Sequence, residues 1–246
     1  MTCTYLIAGM AVSITSIYRD VHEYCRDYAA DAAPELAVAT TRADIEFERE
    51  RSLREAELNG RAPCVSSDGV LEELAVYRKI AERAPERGVI LFHGSALAAD
   101  GEAYLFTAPS GTGKSTHARL WRELLGDRVV MVNDDKPLLR IGEAGVTVCG
   151  TPWNGKHRLG TDISVPLRAV CFLHRAKENA IRPTDRSESY AALLQQVYRP
   201  LDPAALAATL RLVDRLAETV PMYRMGCNME PEAARVAFEA MKGAAK

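Results

Sequence analysis

The chain has 246 residues, of which 48% are apolar and 26% are charged, and its formal net charge is −2. A chain of this length and composition can bury a full core as one domain, or as one domain with a small appendage, and it is typical of a soluble globular protein. Its near-zero charge gives no reason to expect nucleic acid or an anionic membrane as a partner.

The cysteines and the N-terminal residues indicate the cellular compartment in which the protein is expected. The six cysteines lie far apart and none forms a C-x-x-C pair, so reduced thiols are expected rather than a metal site or a disulfide framework. The apolar run Tyr5–Val12 is only eight residues long and has no basic flank before it. It fits neither a signal peptide nor a membrane span. We therefore expect a cytoplasmic protein.

Residues 1–87 are predicted to form an N-terminal α+β region that packs on the core. The apolar spacing predicts a strand at Tyr5–Val12, a helix at Ser16–Tyr28 and an amphipathic helix at Val70–Arg83. The stretch 41–62 is dense in charges of both signs, which indicates a solvated helix or a linker. Asn59-Gly60 and Pro63 predict a break after it.

Residues 88–246 are predicted to form the second region, a nucleotide-binding domain. Strands are predicted at Val89–Phe92, Glu102–Thr107, Arg128–Val132, Val146–Cys149, Ala169–Leu173 and Val220–Met225. Helices are predicted at His117–Leu125, Ser187–Val197, Pro203–Glu218 and Pro231–Met241. The alternation of strands and helices predicts an α/β fold with a mixed sheet and flanking helices.

The stretch Ala108-Pro-Ser-Gly-Thr-Gly-Lys-Ser-Thr116 is a phosphate-binding loop in its sequence pattern, and it joins a predicted strand to a predicted helix. Gly111 and Gly113 let backbone N–H groups close around phosphate oxygens, while the helix N-terminus faces the anion. Lys114 can bind the β- and γ-phosphates, and the Ser115 hydroxyl can ligate Mg²⁺. The predicted contacts with a nucleoside triphosphate are Ser110, Gly111, Thr112, Gly113, Lys114, Ser115 and Thr116. The pattern departs from the usual one only at Ala108, where glycine is common.

Asp134 and Asp135 follow the predicted strand at Arg128–Val132, where a phosphate loop needs a carboxylate for its metal. One carboxylate could ligate Mg²⁺ while the other accepts a proton from an incoming nucleophile. We assign Asp135 to the metal with Ser115, although the residues themselves do not separate the two roles. The doublet favours phosphoryl transfer to a hydroxyl over simple hydrolysis. The alternative is a strand-end turn with two solvated acids.

Other polar residues are open to two interpretations. His93 is either a hydrogen-bonded core residue or a proton-transfer group. Trp153, Lys156, His157 and Arg158 form either a surface hairpin with a packed aromatic or a basic loop that stabilises phosphate charge or holds an acidic acceptor. Arg182 and Arg199 are further candidates for a charge-stabilising arginine.

The motifs together resemble the HPr kinase/phosphorylases. His93-Gly94, then A-P-S-G-T-G-K-S, then N-D-D are similar in order and spacing to that family's His-Gly strand end, G-x-S-G-x-G-K-S loop and A-D-D strand end. The resemblance covers roughly Gly88 to His174 and implies a P-loop core related to that of the ATP-dependent phosphoenolpyruvate carboxykinases. It also implies that His93 and one of the two aspartates assist proton transfer, and that the protein is an oligomer. Arg158-Leu159-Gly160 matches the family's R-G-L-G only loosely, and residues 1–87 match nothing in the family's receiver-like half.

The expected function is a kinase that depends on ATP and Mg²⁺ and transfers the γ-phosphoryl group to a hydroxyl. The acceptor is either a serine of a protein or peptide or a small-molecule alcohol. The expected catalytic residues are His93, Lys114, Asp134, Asp135 and Arg158. The alternatives are a nucleotide-gated binding protein with slow ATPase activity and a carboxykinase-like enzyme that acts on a small carboxylic acid.

Overall fold

The computed structural model describes residues 1–58, 60, 62, 66–155 and 157–243. The chain divides by its contacts into two compact units, Met1–Arg83 and Ala84–Lys246, and each unit has its own sheet. Among the residues that the structure describes, no helix combines the length and the apolar character needed to cross a bilayer.

The first unit is a small sheet with three helices among its described residues. Strands β1 (Thr2–Ile7) and β2 (Met10–Thr15) form an antiparallel hairpin, and β3 (Leu36–Ala39) pairs parallel to β2. The helices are α1 (Asp20–Tyr24), α2 (Arg42–Leu58) and α3 (Asp68–Arg83). The predicted amphipathic helix at Val70–Arg83 is therefore confirmed as α3.

Two predictions for this unit are wrong. The single strand predicted at Tyr5–Val12 is a hairpin, because the chain reverses at Ala8 and Gly9, whose φ values are 51° and 78°. A two-residue turn with positive φ at both positions suits the twist of a hairpin, and the apolar residues on both sides conceal it in the sequence. The helix predicted at Ser16–Tyr28 is shorter, since α1 is followed by a separate 3₁₀ turn at Arg26–Tyr28.

The charge-rich stretch 41–62 contains α2, so it is a helix rather than a linker. Its charges are not all solvated. Glu48 is fully buried and accepts a hydrogen bond from Nε of Arg78 at 2.6 Å. A buried carboxylate is tolerated only when a charged partner satisfies it in this way. The break predicted at Asn59-Gly60 and Pro63 involves Asn59 and Pro63, which lie outside the described residues.

The second unit alternates strands and helices. Its strands are β4 (Val89–Leu91), β5 (Ser95–Ala99), β6 (Glu102–Thr107), β7 (Val129–Asn133), β8 (Leu138–Gly142), β9 (Gly145–Cys149), β10 (Ser164–Arg175), β11 (Ala180–Pro183) and β12 (Met222–Cys227). Its helices are α4 (Lys114–Leu125), α5 (Arg186–Leu194), α6 (Pro203–Thr219) and α7 (Glu232–Lys242). The predicted helices at His117–Leu125, Pro203–Glu218 and Pro231–Met241 agree with α4, α6 and α7 to within a few residues.

The strands of the second unit form a mixed sheet in the order β4-β8-β9-β10-β6-β5-β7, with β12 beside β10 and β11 beside β12. Strand β10 is parallel to both β6 and β12, whereas β5 is antiparallel to both β6 and β7. The start of β10 pairs with β9 and its end pairs with β12, so the sheet curls along this strand. A mixed sheet with flanking helices is thus confirmed.

Helices cover both faces of the sheet because its central strands are apolar on both sides. In β6, Ala103 and Leu105 join a core cluster that includes residues of α5 and α6, while Tyr104 and Phe106 join a cluster with α4 and α7. Trp121 of α4 is fully buried in the second cluster. Continuous burial on two faces is typical of a layered α/β sheet.

Three strands of this unit were not predicted, namely β5, β8 and β11. Strand β5 has the sequence SALAA, which is rich in alanine and lacks the β-branched residues that favour strands. It is a strand because it pairs with β6 on one side and β7 on the other. Long-range pairing therefore overrides a weak local preference.

Candidate functional site

The predicted site residues converge at one edge of the larger sheet. Strands β6, β7, β10 and β12 run in the same direction, so their C-terminal ends share this edge. Strand β5 runs the opposite way and begins there, with Ser95 opposite Phe106 and Ala96 opposite Asn133. Ligands of open α/β sheets bind outside the C-terminal ends of parallel strands. His93, the glycine-rich loop after Thr107, and Asp134-Asp135 are thereby brought together.

The glycine-rich loop, residues 108–113, joins β6 to α4 as expected. Gly111 and Gly113 have φ values of 79° and 123°, and the space that a Cβ would occupy at either residue is empty within 4 Å. Helix α4 begins at Lys114, and among the described residues no side chain caps its N-terminus. The first backbone N–H groups of the helix are therefore available to an anion. Ala108 is not among the described residues with positive φ, which explains why glycine is not needed there.

Lys114 is buried at the start of α4 and is 9% exposed. Its Nζ donates a hydrogen bond to the Ala108 carbonyl at 2.9 Å, so the side chain folds back over the loop. Burial lowers the pKa of Lys114, and the nearby charge of Asp135 partly opposes that effect. A buried ammonium with so little negative charge around it is stabilised by any anion that enters the loop.

Asp135 lies beside His93, whose Nε2 is 3.5 Å from Oδ1 of the carboxylate. Burial alone would raise the pKa of Asp135, but the interaction with His93 and the positive charges of Lys136 and Lys114 hold it below its ordinary value. The backbone strengthens this link, since Gly94 N–H donates to the Asp135 carbonyl at 2.9 Å. Asp135 is thus an ionised carboxylate near the lysine of the loop.

Asp134 is held separately from Asp135. Its Oδ1 accepts a hydrogen bond from the Gly155 N–H at 2.6 Å, and its carbonyl accepts one from the Ser95 hydroxyl at 3.0 Å. The buried Asn133 side chain sets the turn, because its Oδ1 accepts the N–H groups of Asp135 and Lys136. The strand end therefore directs two adjacent carboxylates into different surroundings, rather than leaving both in an ordinary solvated turn.

Two cavities flank the loop and α4. The Asp134 cavity, of about 500 Å³, is lined by residues that include Ser115, Arg119, Arg122, Asp134, His157 and Leu159. The Arg175 cavity, of about 480 Å³, is lined by residues that include Gly111, Thr112, His117, Arg175, Asn228 and Met229. Both volumes are in the range of small-molecule sites. Thr116 borders both, so the first turn of α4 separates them.

The remaining predicted residues differ in their burial and in whether they line a cavity. Trp153 is buried at 3% exposure, and its carbonyl accepts a hydrogen bond from the Asn133 side chain at the end of β7. His157 lines the Asp134 cavity, and Arg158 is next to it in the chain with a φ of 48°. Lys156 lies outside the described residues.

The two further arginine candidates do not gain support. Arg182 is on β11, where its guanidinium binds Glu188 through contacts of 2.9 Å. Arg199 is exposed between α5 and α6. Neither is among the residues that line the two cavities.

Sequence reasoning missed three arginines near the loop. Arg119 and Arg122 are on the face of α4 that carries Ser115, and their spacing of four and seven residues from Ser115 is a signal that a helical projection would have revealed. Arg175, at the end of β10, donates hydrogen bonds to the carbonyls of Gly111 and Thr112 at 2.5 and 3.4 Å. No local pattern marks Arg175, because only the pairing of β10 with β6 brings it to the loop.

The residues present fit a magnesium–triphosphate group in chemical type. The loop offers uncapped N–H groups, an ammonium and the exposed hydroxyl of Ser115. Magnesium is usually held by one or two carboxylates together with substrate phosphates, a pattern that Asp135 and Ser115 could complete. Among the described residues, no group of three or more His, Cys, Asp and Glu side chains is arranged to hold a metal.

Comparisons with known proteins give similarity to solved structures and to one family model. The structure of the Hpr(Ser) kinase/phosphatase from Coxiella burnetii is 12% identical, covers 62% of this chain and 99% of its own, and superposes with a TM-score of 0.34. A likeness this weak carries no argument about activity. No curated protein matches the sequence.

The family model described as "SynChlorMet cassette protein ScmC" matches residues 69–232. That description does not name a kinase, so the resemblance to the HPr kinase/phosphorylases remains a prediction. The matched range contains every described site residue discussed above, from His93 to Met229. It also covers well over half of the sequence, so this chain belongs to the ScmC family of SynChlorMet cassette proteins.

Proposed function

We propose that this protein is an ATP-dependent kinase that transfers a γ-phosphoryl group to a hydroxyl, and that its larger sheet is a P-loop core of the HPr kinase and phosphoenolpyruvate carboxykinase type. The observation that carries the proposal is the pair of cavities on either side of the loop. A kinase must hold a nucleotide and an acceptor at once on opposite sides of the transferred group. A nucleotide switch needs only the first of these sites.

In this proposal the nucleoside occupies the Arg175 cavity, and the triphosphate follows the loop to the start of α4. The N–H groups of the first helical turn bind the phosphate oxygens. Lys114 exchanges its hydrogen bond to the Ala108 carbonyl for one to the β- and γ-phosphates, which restores a charged partner to a buried ammonium. Mg²⁺ held near Ser115 and Asp135 would neutralise charge on the transferred phosphoryl group.

Asp134 is the proposed base. It lines the same cavity as Ser115, and the N–H of Gly155 fixes its carboxylate. The acceptor oxygen forms a bond to the γ-phosphorus as the bond to the β-phosphate oxygen breaks, and the hydroxyl proton passes to Asp134. The products are ADP and a phosphate ester. Asp135, paired with His93, keeps its charge for the metal.

The first experiment measures nucleotide binding by thermal unfolding. Mg–ATP should raise the midpoint of the wild type and of Lys177→Ala, an exposed lysine of the same unit, but not of Lys114→Ala. An undiminished shift in Lys114→Ala would show that the loop is not the phosphate site.

The second experiment measures ADP release with a broad panel of hydroxyl acceptors. A kinase releases ADP quickly only when its acceptor is present, whereas retention of ATP without acceptor dependence would favour the switch. Asp134→Asn should lower turnover by 100-fold or more, taking about 10²–10⁴ as the usual contribution of a general base. It should leave Mg–ATP binding intact. Asp135→Asn should instead weaken the Mg²⁺ dependence of binding, and the reverse pattern would exchange the two roles.

A further inference from the structure

The Asp134 cavity carries a second feature, which is a row of cationic groups that leads away from Ser115. Ser115, Arg119 and Arg122 line the cavity and belong to one helix. At positions i, i+4 and i+7 they lie on one face of α4, and Arg122 is displaced from Ser115 by about 10 Å along the helix axis. Along α4, the cavity lining therefore runs from Ser115 to the two arginines.

The charges of the lining are unequal. Asp134 contributes one carboxylate, Arg119 and Arg122 contribute two guanidinium groups, and His157 contributes an imidazole ring. Arg119 forms an exposed ion pair with Glu123. Within the described part of the chain, the Arg122 guanidinium forms no ion pair or hydrogen bond, and its side chain is exposed. It is therefore free to bind an anion without losing a protein partner.

The size of the cavity restricts its occupant. A volume of about 500 Å³ suits a small molecule. An acidic peptide would need a longer groove. Arginine binds carboxylate and phosphate oxygens with two parallel hydrogen bonds, so two arginines at one end select for such a group.

We propose that the acceptor is a small hydroxyl compound that carries a phosphate or carboxylate group, which Arg122 and Arg119 bind while the hydroxyl lies at Asp134. This inference rests on the proposed kinase function and narrows its acceptor class. Arg119 and Arg122 are positioning residues, since they hold the acceptor by a group remote from the reaction. The remote contact fixes the hydroxyl in line with the γ-phosphorus.

The test is calorimetric titration of the whole chain, both loaded with Mg–ADP and free of nucleotide. The probes are glycerol 3-phosphate, D-glycerate and glycerol, with an acidic decapeptide of glutamate and serine as the competing class. At least one of the two anionic small molecules should bind, and glycerol should not. Arg122→Ala and Arg119→Ala should each weaken that binding by about 10- to 100-fold, which is the usual range for a charge-assisted hydrogen bond.

Controls separate the acceptor site from the nucleotide site. Arg211→Ala, an exposed arginine of α6, should bind the probe as the wild type does, and Arg122→Lys should recover part of the loss. Arg122→Ala should change ADP affinity by less than about twofold, because its guanidinium is not a nucleotide contact in this proposal.

Three results would overturn the inference. These are no binding of either anionic small molecule beyond that of glycerol, Arg122-dependent binding of the peptide alone, and loss of ADP affinity in Arg122→Ala. If ADP itself fails to bind, the proposed kinase function fails. The titration of the nucleotide-free chain then still decides whether the anion site exists.

Discussion

At the residue scale, the pairing of His93 with Asp135 explains why a half-buried carboxylate stays ionised. Burial disfavours the charged form, and His93 and the neighbouring lysines favour it. A carboxyl group whose pKa falls on folding stabilises the folded state above its ordinary pKa, and that stability is lost as the pH falls through the lowered value. The pair therefore keeps the proposed metal ligand charged, and it stabilises the folded state at neutral pH by an amount that is lost in acid.

We predict that His93→Gln raises the pKa of Asp135. The variant removes the strongest interaction that lowers this pKa, while the burial that raises it remains. A ¹³C titration of the Asp135 carboxyl group measures the change, with Asp185, the exposed N-cap residue of α5, as an internal reference. An unchanged Asp135 titration would mean that the lysines alone hold the carboxylate.

His117 is a buried histidine whose pKa, unlike that of Asp135, is shifted by burial alone. Trp121 Nε1 donates to its Nε2 at 3.2 Å, so the neutral ring carries its hydrogen on Nδ1, which has no partner among the described residues. Burial lowers the pKa of His117 to about 4. The unfolded chain takes up a proton at the ordinary value of about 6.5, so it binds more protons than the folded chain between these two values.

We predict that the wild-type protein loses stability between about pH 6.5 and pH 4 because of His117, by up to about 3 kcal/mol. His117→Gln keeps an acceptor for Trp121 but cannot take up this proton. The free energy of unfolding, measured with urea at each pH, should therefore fall less between pH 6.5 and pH 4 in the variant than in the wild type. Parallel curves for the two proteins would contradict the assignment.

At the element scale, the segment made of β6, the loop and α4 combines a positive backbone φ at Gly113 with open space around that residue. Gly113 has a φ of 123°, which an L side chain rarely adopts, and no atom lies within 4 Å of the position that a Cβ would take, so the cost of a side chain is conformational rather than steric. Gly101 at the β5–β6 turn has a φ of 82° and the same open surroundings. Gly101 is therefore a matched control for a substitution at Gly113.

We predict that Gly113→Ala and Gly101→Ala each lower the free energy of unfolding by about 1–3 kcal/mol, because each forces alanine into a left-handed conformation. Only Gly113→Ala should also abolish the stabilisation by Mg–ATP, since its methyl group enters the space proposed for phosphate. Urea unfolding with and without nucleotide checks both effects. Equal nucleotide responses in the two variants would contradict the proposed phosphate position.

At the scale of the whole molecule, every residue proposed to bind nucleotide or acceptor belongs to the unit Ala84–Lys246. We predict that Mg–ATP slows amide hydrogen exchange at the loop and in the first turn of α4, where N–H groups gain phosphate partners. Exchange in Met1–Arg83 should stay unchanged. Mass spectrometry of peptic fragments measures both regions, and Lys114→Ala should show neither effect. Protection confined to Met1–Arg83 would place the nucleotide elsewhere.

Local patterns were sufficient to predict much of this unit. The G-x-G-K-S sequence, the preceding apolar strand and the following amphipathic helix correctly located β6, the loop and α4, because each depends on contacts only a few residues apart. The amphipathic patterns of α3, α6 and α7 were equally informative. The hairpin at Ala8-Gly9 and strand β5 were not predicted, because turn geometry and strand pairing outweigh their composition.

The sequence by itself determined the chemical groups of the candidate site: a glycine-rich loop with Lys114 and Ser115, a carboxylate doublet, and a histidine before a glycine. Only the tertiary structure decided which of these groups lie next to each other. Parallel and antiparallel pairing brings the ends of β6, β7, β10 and β12 to one edge, so Asp135 meets His93 while Asp134 lines a cavity with two unpredicted arginines. Strand direction and register depend on hydrogen bonds between distant segments, and no pattern within a single segment encodes them.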